Sequence, residues 1–502
     1  MKKTFIIAAI CLASFLLLRC DNKTKNFAVT APVDTNFTIN FSPRPPTDLD
    51  TGAGERELSQ FAWEEFLALN WKSSFNTNSK RDYPDSTWSY KDSSAAYPEL
   101  NVWETFAHRS ELRPYSDQMQ PFNNAPHYSY GNAPSPATPS SSFTLFNNLD
   151  ENNEIGSCDM YAHVNLYKKQ YQVLYEAKVN SSEYNYILNT YPTKARLLQA
   201  TSKTAENIAK YNAYYPNPST IANDNSTCDC PTSANVVCLP CSSGKKTGAI
   251  EIKAAWRMLT PKDDSTKFFT RKVISYAKAP GGGVVYHNST YALIGLHIIQ
   301  KTVNYPAFIF ATFEHVNVIQ DSMGYALLKN GVETGGLKTP SRDPIRPITQ
   351  AATDYVHSKL PANSIWRNYR LVGVQAKPVN YPDTTNKKTN FFLSNYVVES
   401  DTTLSHFNGG GIDSPHNHRP NLLFKGKFIS MGGCQGCHGV TQKNAGTDFS
   451  FLLDTVGKPI LTPDIGNVNT LSKLAQYINA NKHAETRIRF IKAALAKKAA
   501  KP

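Results

Sequence analysis

Tyr291-Ala-Leu-Ile-Gly-Leu-His-Ile-Ile-Gln-Lys-Thr302 and, just beyond Asn304-Tyr305-Pro306, Ala307-Phe-Ile-Phe-Ala-Thr-Phe-Glu-His-Val316 are the two runs on which the fold turns. Both are rich in Ile, Phe and Tyr and are separated by a turn signal, so they predict two strands of one antiparallel hairpin. Runs of the same kind occur at Ala249 to Leu259, at Lys272 to Ala279 before Pro280-Gly-Gly-Gly283, and at Tyr369 to Ala376. The middle of the chain is therefore read as strands.

Helical patterning lies to either side. From Glu55 to Trp71, residues Leu58, Phe61, Ala62, Phe66 and Leu69 recur mostly at spacings of three and four behind Glu55 and Glu57, which predicts an amphipathic helix with acids at its positive end. Further helices are expected at about Thr193 to Tyr211, Asn469 to Asn481 and Ala484 to Ala500. Turn-forming residues between 115 and 145, including Asn132, Pro134, Pro136 and Pro139, predict a long surface loop. The expected class is α+β, with a large β-rich domain carrying helical insertions over residues 55–420 and a small helical region over 421–502. A chain of 502 residues, 40% apolar and 19% charged, can bury such a core.

The N-terminus reads as a leader. Lys2 and Lys3 precede a mostly apolar run from Phe5 to Leu18, short for a membrane span, which ends at Arg19-Cys20. Leu17-Leu-Arg-Cys20 resembles a bacterial lipoprotein cleavage box, though Leu18 and Arg19 stand where small residues are usual; the resemblance implies lipidation at Cys20. Residues 21–54, rich in Asn, Thr and Pro, read as a linker. The chain is thus expected to be exported, either periplasmic or anchored as a lipoprotein in a bacterial cell envelope. Outside the cytosol thiols tend to pair, so Cys158, Cys228, Cys230, Cys238 and Cys241 are expected among disulfides, although in a reducing setting the compact cluster of the last four would suggest zinc.

Residues 421–502 hold twelve Lys or Arg against four acids, most of the net +13 of the whole chain. This asymmetry would steer an acidic partner protein toward that end. Nucleic acid is not expected as a partner of an exported chain.

Gly433-Cys434-Gln-Gly-Cys437-His438-Gly439 contains Cys-x-x-Cys-His, the attachment signature of c-type haem. Two thiols three positions apart on a tight turn can reach the two vinyl groups on one side of a porphyrin, and the adjacent imidazole can ligate the iron. With the Cys and His content of this chain, the number of chance matches is roughly 0.004, so coincidence is a poor account of the motif.

Residues from about 425 to 482 resemble a monohaem cytochrome c domain. The resemblance implies one covalent haem c, thioethers at Cys434 and Cys437, His438 as proximal ligand of the iron, and electron transfer. The wider chain resembles exported cytochrome c family proteins of similar length in Phe61-Ala-Trp-Glu-Glu-Phe-Leu-Ala-Leu-Asn-Trp71, Leu296-His297, Ala311-Thr-Phe-Glu-His315 and Asn368-Tyr-Arg-Leu-Val-Gly-Val-Gln375. One departure is plain: such domains usually draw a distal methionine from downstream of the motif, and no Met follows Met431. The sixth ligand is left unassigned among Met431, Met323, Met258, His406, His416, His418, His483 and an open position.

The motif is compatible with three functions. The first is a single-electron carrier. The second is a haem-dependent oxidoreductase with a substrate site in the β-rich domain, and the third is a binding lipoprotein whose haem is structural.

Overall fold

The computed structural model describes residues 36–91, 100–132, 142–151, 158–162, 173–214, 230, 235–259, 263–279, 281–318, 323–329, 332–333, 344–376, 393–398, 422–424, 427–429, 433–453 and 463. The chain divides into residues 1–36 and a second unit from Phe37 onward, and every element of secondary structure described belongs to the second.

Its helices are α1 (Glu55–Leu69), α2 (Phe75–Asn78), α3 (Ser181–Thr190), α4 (Lys194–Tyr214), α5 (Pro347–Lys359) and α6 (Gly433–Ala445). Its strands are β1 (Ala107–His108), β2 (Asn148–Leu149), β3 (Cys158–Ala162), β4 (Val173–Val179), β5 (Ile250–Met258), β6 (Thr270–Lys278), β7 (Val284–Gln300), β8 (Ile309–His315), β9 (Met323–Lys329), β10 (Val332–Glu333), β11 (Tyr369–Gln375), β12 (Leu422–Phe424) and β13 (Lys427–Ile429). Eight of these make one sheet in the order β1-β4-β5-β7-β6-β2, with β8 also on β7 and β11 on β8. The 17-residue β7 organises it. One edge of β7 pairs with β5, while the other takes β6 along its first half and β8 along its second. Glu151, two residues past β2, bridges Tyr175 of β4, so the sheet bends back toward its own edge and is nearly closed.

Gly295 stands where β7 changes partner from β6 to β8. A Cβ there would lie 2.4 Å from Cγ2 of Val397, so the absence of a side chain lets residues 393–398 cross the sheet closely. The hairpin β7–β8 is antiparallel, with His297 opposite Thr312 and Ile299 opposite Phe310.

Both faces of the sheet are covered, which is why its strands read as nearly continuous apolar runs rather than alternating ones. On one face Ile252, Trp256, Leu296, Ile298 and Phe313 pack with α1 and α5. Phe66 of α1 lies 4.3 Å from Phe313 and 5.4 Å from Trp366 between ring centroids, and Trp63 meets Phe313 at 5.0 Å. The helix starts where the Gly54 N–H donates to Glu57 Oε2 at 3.0 Å, half of a capping box, and ends at Asn70, whose side chain donates to the Phe66 carbonyl. Asn70 Oδ1 then accepts from the Trp103 indole at 2.9 Å, tying the helix end to the neighbouring loop. On the opposite face Val179, Ile299 and Phe310 pack with Tyr184, Ile187, Leu197 and Phe449.

Several expectations need revision. The linker reading of residues 21–54 does not extend through Phe37 and Ile39, both of which are buried in the core. Asn40 donates to Glu64 Oε1 of α1 through both its backbone and its side chain. The surrounding Asn, Thr and Pro conceal two anchoring apolar residues. The region expected as a surface loop buries Phe122, Tyr128 and Tyr130. Strand β7 begins seven residues earlier than Tyr291, because Val284–Thr290 is only partly covered and carries no clear apolar pattern. Helices α3 and α5 lie outside the predicted helical segments; each buries a few side chains and exposes the rest, which leaves only a weak periodic signal. The helices expected at Asn469–Asn481 and Ala484–Ala500 lie outside the described residues.

Candidate functional site

The cysteine–histidine motif lies on α6, not on a tight turn. On a helix, positions 434, 437 and 438 are related by three and four residues and share a face. The side chain of Cys437 lies outside the described set. Cys434 is half-buried against the apolar cluster that contains Phe308 and Phe310. Gln435 pins the start of the helix to the sheet, its N–H donating to Gln375 Oε1 at 2.9 Å and its Nε2 to the Phe308 carbonyl at 3.4 Å.

His438 is held from three sides. Its Nδ1–H donates to the Phe449 carbonyl at 2.6 Å, and the rings of Phe310 and Phe451 meet it edge-on with centroids at 4.8 Å. That hydrogen bond fixes the tautomer and turns Nε2 into the lone-pair nitrogen, the state in which an imidazole ligates a metal. Burial lowers the pKa of His438 to about 4, the Phe449 carbonyl working against this and the Lys253 charge with it. The ring is therefore neutral near pH 7.

The carbonyl is delivered by a strained turn. Gly446, Asp448 and Phe449 have φ of 69°, 55° and 66°, a region that costs non-glycine residues on the order of 1–3 kcal/mol each. The surroundings hold this turn in place. Asp448 N–H donates to Gln442 Oε1, and Asp448 Oδ2 accepts from the Leu239 N–H at 2.6 Å and from the Lys301 ammonium. Gly446 passes so close to α4 that a Cβ would sit 2.1 Å from the Thr201 carbonyl oxygen.

His297 of β7 is on the same sheet face as Phe310, two residue pairs along the ladder. Burial, with the nearby Lys253 and His438, lowers its pKa to about 3. His315, by contrast, is packed structurally: it stacks on Phe268 at 4.0 Å and shares a 2.9 Å hydrogen bond between Nε2 and the Lys267 carbonyl.

Beside the turn lies a buried acid pair. Glu183 stands third in α3, where a carboxylate would normally reach back to the N-cap N–H. That N–H, of Asn180, is already given to the Ile250 carbonyl at 3.0 Å, and Glu183 meets Glu251 of β5 instead. Ser450 hydrogen-bonds Glu251. Burial raises Glu251 to about 7, with Asp448 adding to the rise and the hydrogen bonds from Ser450 and Glu183 working against it; burial raises Glu183 well above the carboxylate range, with Glu251 and Asp448 adding to it and the Lys301 charge opposing it. Carboxyls with raised folded-state values stabilise the fold most in acid, and that contribution is lost as pH rises through about 7. His297 and His438, with lowered values, act in the opposite sense and lose their contribution as pH falls below the usual histidine range. Replacing both acids (Glu183→Gln with Glu251→Gln) is therefore expected to raise the urea midpoint relative to the parent progressively from pH 6 to pH 8. A difference that stays constant across that range would contradict the assignment.

Cys230 and Cys241 are joined in a disulfide, and Cys238 is also disulfide-bonded. The Cys158 side chain and Cys228 lie outside the described set, as do Cys20, Met431, His406, His416, His418, His483 and the side chain of Met323. Met258 is the last residue of β5. It is seven residues along β5 from Glu251, about 23 Å at strand rise, and partly exposed at the far end of the sheet. Among the described residues no group of three or more His, Cys, Asp or Glu converges on a metal position, and no helix is long and apolar enough to cross a membrane.

Sequence reasoning did not find Phe449, Asp448, Glu183 or Glu251. Gly446, immediately after α6, is the one signal that could have marked the turn, since glycine is common where a helix ends in a left-handed residue. No family model, no curated protein and no solved structure matches this chain.

Proposed function

We propose that this chain is an exported monohaem c-type cytochrome that carries single electrons. The observation that carries the reading is the orientation of His438 within Cys434-x-x-Cys437-His438: Nδ1 is committed to the Phe449 carbonyl, and Nε2 remains as the donor for a metal. The donor set fits a haem. Cys434 and Cys437 are the thioether positions, and His438 is the proximal ligand. When bound, haem c supplies an iron that cycles between Fe(II) and Fe(III). The chain's own residues do the positioning: Phe449 orients the imidazole, while Phe310 and Phe451 shield it from water. The basic residues of 421–502 would dock an acidic redox partner, and a lipid on Cys20 would hold the protein at a bacterial envelope membrane.

The test is direct. The chain, made in cells with haem-attachment machinery, is expected to retain the mass of one porphyrin after denaturation and to show reversible oxidised and reduced optical spectra. The Cys434→Ala, Cys437→Ala double variant should retain none. A parent chain without covalent porphyrin under those conditions would sink the proposal.

A further inference from the structure

The acid pair next to the His438 turn is the buried polar feature that the electron-carrier reading leaves unused. Glu183 is fully buried and Glu251 nearly so, at 0% and 5% exposure. Both oxygens of Glu183 and Oε1 of Glu251 find no N–H or O–H donor among the described residues, so a proton held between the two carboxyls is the donor the geometry calls for. The pair is close to the proposed redox centre in the chain's own connectivity. Ser450, which bonds Glu251, is flanked by Phe449, whose carbonyl accepts from His438, and by Phe451, whose ring touches it.

The charges facing the pair can be named element by element. From the turn after α6 comes Asp448, matched by Lys301, which directly follows β7. Two residues along β5 is Lys253, matched by Glu151 at 3.1 Å. From β7 comes His297, which is neutral near pH 7. Tyr186 of α3 is neutral as well, its hydroxyl being pushed further up by burial. Each of these fixed cations thus already has a carboxylate, and among the described residues facing the pair none is left over to neutralise a second negative charge on Glu183 and Glu251. Adding a negative charge nearby therefore raises the affinity of the singly protonated pair for a second proton.

Resting on the haem reading, we infer that Glu183 and Glu251 form a proton-accepting pair that couples electron uptake to proton uptake: as a one-electron donor reduces the iron, the pair takes one proton from solvent, and on reoxidation it releases it. The charge added by the electron is offset by the proton, so the buried region keeps its net charge. The chain would therefore sense pH through its reduction potential.

The experiment is a spectroelectrochemical titration of the haem-loaded protein with redox mediators from pH 5 to 9. The expected result is a potential that falls as pH rises through neutrality, by about tenfold in the reduction equilibrium constant overall, or about 59 mV for one electron. The Glu183→Gln, Glu251→Gln variant should flatten that step while keeping the covalent porphyrin and the optical spectrum. Reduction-minus-oxidation infrared spectra of the parent should also show a protonated-carboxyl band that the variant lacks, a readout that needs no substituted chain to detect. A haem-loaded parent with a pH-independent potential and no such band would overturn the coupling alone. Absence of covalent porphyrin would overturn the haem reading beneath it.

Discussion

Gly446→Ala is expected to cost about 2–5 kcal/mol, combining the left-handed backbone penalty of a non-glycine residue with overpacking against a rigid neighbour. The added Cβ would meet the Thr201 carbonyl oxygen at 2.1 Å, the Ala205 nitrogen at 2.5 Å and the Thr204 Cβ at 2.9 Å. Two of these are backbone atoms of α4, which cannot rotate aside as a flexible side chain could. The turn would have to lift from the helix, drawing Phe449 out of its buried position and its carbonyl away from His438. The signature is local as well as global: amide exchange should accelerate across 433–453 before it changes in β5, and the urea midpoint should fall. An unchanged midpoint together with unchanged exchange in 433–453 would show that the turn is not docked against α4.

Asp448→Ala is expected to be at least as damaging, at about 3–5 kcal/mol, because it removes the partner of a buried charge rather than a surface one. Lys301 is fully buried and its ammonium bonds Asp448 Oδ2, which also accepts the Leu239 N–H. Removing the carboxylate takes the charge partner from the first and the acceptor from the second. Asp448→Asn should recover part of the loss by keeping an acceptor oxygen. Adding Lys301→Met to Asp448→Ala should recover more, since that buried cation is then gone. Denaturant unfolding of the parent, the two single variants and the double variant provides the cycle, and strict additivity of the two single changes would argue against the ion pair as the dominant interaction. Because Phe449 follows directly, on the proposed haem reading the optical spectrum of the Asp448→Ala chain should also broaden as His438 loses a fixed orientation.

The two substitutions act on different parts of one device. Gly446 permits the approach to α4, and Asp448 anchors the strained backbone that presents the Phe449 carbonyl. Neither touches the Cys-x-x-Cys-His residues themselves.

From composition and pattern alone, the strand runs around Ile250–Met258, Ile309–His315 and Tyr369–Gln375, the β7–β8 hairpin and helix α1 are legible, because β-branched and aromatic runs between turn signals, and apolar spacings of three and four, are local properties. The Cys-x-x-Cys-His motif is legible for the same reason: its residues are near neighbours in the chain. Tertiary structure alone decides that Phe37 and Ile39 belong to the core, that β7 pairs with two strands along one edge, and that the motif rides on a helix pinned to Gln375 and Phe308. It alone joins Glu183, Glu251 and Asp448, which are separated by 68 and 197 positions in the sequence. Burial without donors and the register of facing strands arise only when distant segments meet, so no window along the chain could contain them.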